Sequence, residues 1–151
     1  MPEALFANQR ETNLASTLAL VEEVLAELGH PAPASQIADA SALHAWEIRK
    51  GSAITHIRLI SRPEFTHIRA TAVVMTLDAK TDRPGLFAHL LELNAELCGG
   101  AFALDHDRVL LVNERSTLDL DKSEILDLIN RVTAYADDYD DTLVARFGGT
   151  R

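Results

Sequence analysis

Cysteine is almost missing from this chain. Cys98 is the only one in 151 residues, so no disulfide can form within the chain, as suits a reducing compartment. It has no His or Cys neighbour to activate it and reads as a small buried residue at a helix end. Long apolar runs are missing too. No stretch approaches the ~18 apolar residues of a membrane span, and Met1-Pro2-Glu3-Ala4-Leu5-Phe6 has neither the basic nor the apolar region of a signal peptide. Positive charge is scarce, with 14 Lys and Arg against 23 Asp and Glu and a formal charge of −9. The field of the whole molecule therefore repels phosphates and anionic lipid, leaving at most a local basic patch for nucleic acid. A cytoplasmic protein that binds neither membrane nor, directly, nucleic acid is expected.

Clusters that could carry chemistry are also lacking. The six histidines are scattered, with no His-x-x-x-His spacing, and although His56 and His67 could approach diagonally across two strands they lack a third ligand. Gly99-Gly100 follows a helical pattern, the wrong side for a phosphate loop. Asp137-Asp138-Tyr139-Asp140-Asp141 lacks the central glycine and terminal Glu of a calcium loop, and the stripe Tyr135, Tyr139, Leu143 runs through it, so it reads as a solvated acidic helix face. No nucleophile, base and orienting group can be assembled. The expectation is a protein without enzymatic activity, metal or cofactor.

What the chain does hold is apolar periodicity. Hydrophobic residues make up 47%, sufficient for one core without staples. Leu14, Leu18, Val21, Leu25 and Leu28 form a helical stripe capped by Asn13 and stopped by Gly29. His30 to Ser41 reads as a loop. Three strands follow, Leu43–Arg49, Ala53–Ile60 and Phe65–Leu77, joined by turns at Lys50-Gly51 and Ser61-Arg62-Pro63-Glu64. A helix capped by Asp82 carries Leu86, Leu90, Leu93 and Leu97, and Ala101–Val112 is a tight hairpin around Asp105-His106-Asp107. The last helix starts at Asp121 or Ser123 and carries Ile125, Leu128, Ile129 and Val132, with Phe147 a final anchor. The fold class is α+β in the order α-β-β-β-α-β-β-α: an antiparallel sheet with helices packed mainly on one face. One domain spans 12–147, between flexible termini at 1–11 and 148–151.

Strand parity assigns the faces. Paired residues share a face, so pairing Ile60 with Phe65 sets Arg58 against His67 and His56 against Arg69. Pairing Arg49 with Ser52 likewise sets Trp46 beside Thr55. The core face then holds His44, Trp46, Ile48, Ala53, Thr55, Ile57, Leu59, Ile68, Ala70, Ala72 and Val74. The other face holds Glu47, Arg49, Ile54, His56, Arg58, Ile60, Phe65, His67 and Arg69.

With Leu90-Leu91-Glu92-Leu93-Asn94-Ala95-Glu96-Leu97, the glycine break, Phe102-Ala103-Leu104-Asp105, and Leu118-Asp119-Leu120 leading into a long acidic helix, the chain from about Asn13 to Phe147 resembles the YbjN family, which shares the fold of type III secretion chaperones such as the Tir chaperone. The resemblance implies a cytosolic, dimeric protein that binds client proteins without catalysis or ATP, linked in general terms to bacterial stress response and regulation.

Two surfaces are expected to carry this function. The hairpin is apolar on both faces, and the side bearing Ala101, Ala103, Leu110 and Val112 needs cover beyond the protein's own helices, which a second subunit would give. On the open sheet face His56, Arg58, Phe65, His67 and Arg69, bordered by Ile60, form a docking surface for an acidic, partly apolar segment of a client protein. The alternative is a small-ligand or nucleic-acid sensor using the same basic face, and the bland reading is a solvated face with Glu47 balancing an arginine, or one covered by the 30–41 loop.

Overall fold

Along β2 (Ala53–Ser61) Ala53, Thr55, Ile57 and Leu59 are buried while the residues between them are half-exposed, the period of a strand with one face on a core. The computed structural model describes residues 2–151, with side chains from Asn8 onward. Its elements are α1 (Pro2–Glu27), the short α2 (Ala32–Ser35), β1 (His44–Lys50), β2, β3 (Thr66–Thr76), α3 (Arg83–Glu96), β4 (Ala101–Asp105), β5 (Arg108–Ser116) and α4 (Lys122–Phe147). The strands form one antiparallel sheet in the order β1-β2-β3-β5-β4. The core lies between the sheet and α4, which crosses β2, β3 and β5, and α1 packs on α4.

α4 forms where expected. Asp121 and Glu124 make a reciprocal capping box, which satisfies donors that the first turn would leave unpaired. The stripe Ile125, Leu128, Ile129, Val132, Ala136, Leu143 and Phe147 is buried. Asp82 caps α3 by accepting from the Gly85 amide at 3.1 Å, and Pro84 sits in its first turn.

The first helix differs from the expectation at its start. It is helical from Pro2, eleven residues before Asn13, with Met1 outside the described residues, and Asn13 caps nothing. The Asn13 amide instead donates to the Thr117 carbonyl at 3.0 Å and accepts from the Thr117 hydroxyl at 2.6 Å, tying α1 to the segment before α4. At the other end Thr150 pairs with Thr76 as an isolated antiparallel bridge, and Arg151 lies 2.9 Å from Asp141. Cys98 is exposed rather than buried, since α3 ends at Glu96 and leaves it in the connection to β4.

The faces follow parity, but both hairpin registers sit two residues from the expected ones. Lys50 pairs with Ala53, Trp46 with Ile57 and Ile48 with Thr55. The turn is Gly51-Ser52, where Gly51 takes φ +62 and an added Cβ would come within 2.8 Å of Asp137, so glycine is required. In the next hairpin Arg58 faces Arg69, not His67, and His56 faces Thr71, not Arg69. There the Arg62 amide donates to the Phe65 carbonyl, which closes the turn over residues 62–65 and removes Phe65 from the ladder. A two-residue slip preserves each side chain's face. A bulge between Val73 and Met75 then shifts parity, so Val74, Met75 and Leu77 are all buried.

The acidic run of α4 is only partly a solvated face. Asp137 accepts from the Ser52 amide, and the Ser52 hydroxyl, 2.7 Å from both Asp137 and the buried Asp140, shares its one hydrogen between the two carboxylates. These bonds anchor the β1–β2 turn to the last helix, and those from the Ser52 hydroxyl and amide hold the Asp137 carboxyl below its usual range.

Candidate functional site

The open face is built around two like charges. Arg58 and Arg69 stand directly opposite each other on β2 and β3, an arrangement that is unfavourable unless each guanidinium has a counter-charge. Arg58 Nε lies 2.5 Å from Asp39 Oδ2, and its Nη1 donates to the Thr71 hydroxyl at 3.0 Å. Asp39 belongs to the segment between α2 and β1, whose Ile37 amide donates to Ala45 on β1. Ala45 lies opposite Arg58 and is 2% exposed, so this segment covers one margin of the face. Hydrogen bonds from the Ser41 hydroxyl and from Arg58 hold the Asp39 carboxyl far below the usual carboxylate range.

Arg69 is answered from the other side. Its β5 partner is Glu114, which accepts from Arg69 Nη1 at 2.5 Å and from Arg62 through Nε and Nη2 at 2.8 and 2.9 Å. Burial pushes the Glu114 carboxyl up, but the bonds from Arg69 and Arg62 outweigh it and leave it low. His67 Nδ1 is 3.2 Å from Glu114 Oε1 yet has no hydrogen-bond partner: the distance is that of an ion pair, the alignment is not that of a hydrogen bond. His56 lies 3.2 Å from Glu47.

Between β2, β3 and the β4–β5 hairpin these residues leave a cavity of about 450 Å³. Arg58, Arg69, Arg108, His56 and Thr71 supply its polar wall, and Ile60, Val73, Ala103, Leu104 and Leu110 its apolar one. Asp105 sits on the rim, held by Arg108 at 2.6 Å and His106 at 2.9 Å. The structure thus brings together His56, Arg58, Arg69 and Ile60. It turns His67 to Glu114 and leaves Phe65 in the turn, because of the register described above.

The hairpin pairs as parity requires. Ala101 meets Val112 and Ala103 meets Leu110 on the open face, while Phe102 meets Leu111 and Leu104 meets Val109 on the other. A second surface lies where α3 meets β4: an apolar groove of about 190 Å³ lined by Phe87, Leu90, Leu91, Asn94, Phe102, Ala103 and Leu104. Leu91 is 70% and Leu104 51% exposed. Asn94 closes the sheet edge here, donating to the Phe102 carbonyl at 3.1 Å and accepting from its amide at 2.7 Å.

Sequence reasoning missed Asp39, Arg62, Arg108 and Glu114. Glu114 was within reach, because continuing the Leu110, Val112 alternation by two residues places it on the open face. Asp39 lies in an irregular segment and has no periodic signal. Among the described residues no group of three His, Cys, Asp or Glu side chains is placed to hold a metal ion, and no helix is long and apolar enough to cross a membrane.

The family model of the T3SS (YopN, CesT) and YbjN peptide-binding chaperone 1 matches residues 15–151. No curated protein sequence matches significantly. Among solved structures, a chain of the ExsC-ExsE complex superposes with a TM-score of 0.65 at 16% identity, covering 85% of this chain and 94% of that one. A chain of the HopA1-SchA chaperone-effector complex gives 0.61 at 12% identity, covering 87% and 97%. A chain of the ExoT-SpcS complex from Pseudomonas aeruginosa gives 0.55 at 17% identity, covering 80% and 93%. At these identities the likeness is one of fold.

Proposed function

The chain belongs to the T3SS (YopN, CesT) and YbjN peptide-binding chaperone family, and from that membership we propose that it is a non-enzymatic, cytoplasmic homodimer that holds segments of client polypeptides. The observation that carries this reading is the family match, which spans all but the first turns of α1. The tie to bacterial stress response rests on the likeness to YbjN alone. The alternative is a small-ligand or nucleic-acid sensor on the same basic face, and nucleic acid has less support because the formal charge of −9 repels a phosphate backbone.

The dimer seam in this reading centres on Leu91 and Leu104, whose exposure is unusual for side chains of their size. Ala103 borders both this groove and the arginine-lined cavity, and with Ala101, Leu110 and Val112 it extends the apolar surface onto the open face. Light scattering at micromolar concentration tests the seam: the expected mass is twice the 16.5 kDa of one chain, and a monomer mass would end the dimer proposal. For the client, capture from the native cell extract followed by mass spectrometry, then rebinding of the purified segment, is the test. Failure of every captured segment to rebind in purified form would overturn the peptide-holding role.

A further inference from the structure

Two arginines paired across neighbouring strands each have one carboxylate beside the guanidinium, and most of their hydrogen-bonding capacity is uncommitted. A guanidinium carries five N–H donors in a planar fork. Arg58 spends one on Asp39 and one on Thr71, and Arg69 spends one on Glu114. Both line the 450 Å³ cavity, and Arg108 lines it as well. The acids that neutralise the pair come from β5 and the segment before β1, and neither Glu114 nor Asp39 belongs to the cavity lining, where Asp105 beside Arg108 is the only carboxylate. Ile60, Val73 and Leu110 supply apolar contact in the same lining. Fork donors beside apolar wall suit a carboxylate carried on a chain with apolar neighbours.

We infer that this cavity receives an acidic side chain of the bound polypeptide, flanked by apolar residues, with Arg58 and Arg69 pairing with its carboxylate. The inference rests on the peptide-holding reading and adds a preference to it: clients are selected for an Asp or Glu set between aliphatic residues. Charge complementarity argues for this occupant. The two opposed arginines gain a shared counter-ion, and the aliphatic flanks cover side chains that otherwise meet water.

The test compares two labelled probes by fluorescence anisotropy, the acetylated and amidated peptide Ser-Leu-Glu-Leu-Ser and the analogue with Gln in place of Glu. Wild-type protein is expected to bind the Glu probe about tenfold or more tightly, the loss typical of a charge-assisted hydrogen bond. In R69Q, where Glu114 keeps its bidentate bond from Arg62, the preference should fall to about twofold or less. R115Q is the control for net charge, since Arg115 pairs with Ile68 in the ladder, on the helix side, and bonds Glu124. It should keep the full preference. Should R69Q lose its fold by circular dichroism, R58Q carries the same comparison.

Equal binding of the two probes, or a preference that survives both R58Q and R69Q, overturns the inference. Failure of both probes while captured client segments still rebind removes the cavity and leaves the peptide-holding function standing. Failure of probes and client segments alike removes both.

Discussion

The hydroxyls of Thr55 on β2 and Thr133 on α4 meet at 3.0 Å, each side chain no more than 2% exposed. Thr133 also donates to the Ile129 carbonyl at 2.8 Å, so its one hydrogen is spent and Thr55 must be the donor between them. A two-step relay thus joins the sheet to the helix across the core. Thr133→Val would strand the Thr55 hydroxyl and should cost about 1–3 kcal/mol in urea denaturation. Replacing both threonines by valine should recover most of that loss. A double variant as unstable as the sum of the singles would show that the relay is not a unit.

The two sheet faces should respond differently to truncation. Ile57 is fully buried, whereas Val73 on the open face is 37% exposed. Ile57→Ala is expected to destabilise by about 2–5 kcal/mol, and Val73→Ala by no more than about 0.5 kcal/mol. Equal losses at the two positions would mean that the open face is covered in solution.

Acid should loosen the margin of the open face. The folded-state pKa of Asp39 lies below its unfolded value of about 3.9. Its contribution to stability is therefore complete above that value and is lost as pH falls below about 4. Asp39→Asn should be less stable than wild type at pH 7, with the difference shrinking as pH drops through that window. A difference that stays constant from neutral to acid pH would exclude the carboxylate as its source.

In the proposed dimer, Leu91→Glu should leave a monomer that keeps its fold, since the side chain is 70% exposed within one chain, and whose melting temperature no longer rises with protein concentration. Light scattering and thermal melts on the same samples check both halves of that expectation. An unchanged dimer mass would move the seam away from α3.

Much of this fold could be read from alternation alone. The burial of Trp46, Ile48, Ile57, Leu59, Ile68 and Ala70 follows from period-two patterning, and so do the two faces of the β4–β5 hairpin, although Asp105, read as part of the corner, pairs with Arg108 in the ladder. What escaped was set by contacts distant in sequence. Gly51 and Ser52 form the first turn because Asp137 and Asp140 receive it, some 85 residues later, and turn preferences near Lys50 hold no trace of that. Asn13 looked like a cap because Leu14 opens the apolar stripe, but its partner is Thr117. Arg58 and Arg69 were correctly placed on the open face, while the carboxylates that accompany them could be found only once the loop and β5 were in position.

The amide of Asn94 and the backbone around Gln36 occupy points where the sheet would otherwise be open. Gln36 bridges Trp46 at the β1 edge, and Asn94 takes both backbone groups of Phe102 at the β4 edge. A strand arriving from another molecule must compete there with a partner tethered nearby, whose effective concentration is on the order of millimolar or above. Templated growth into fibres is suppressed at both borders. In the proposed peptide-holding role this biases recognition towards side chains seated in a face, which can discriminate between sequences, and away from backbone pairing, which cannot.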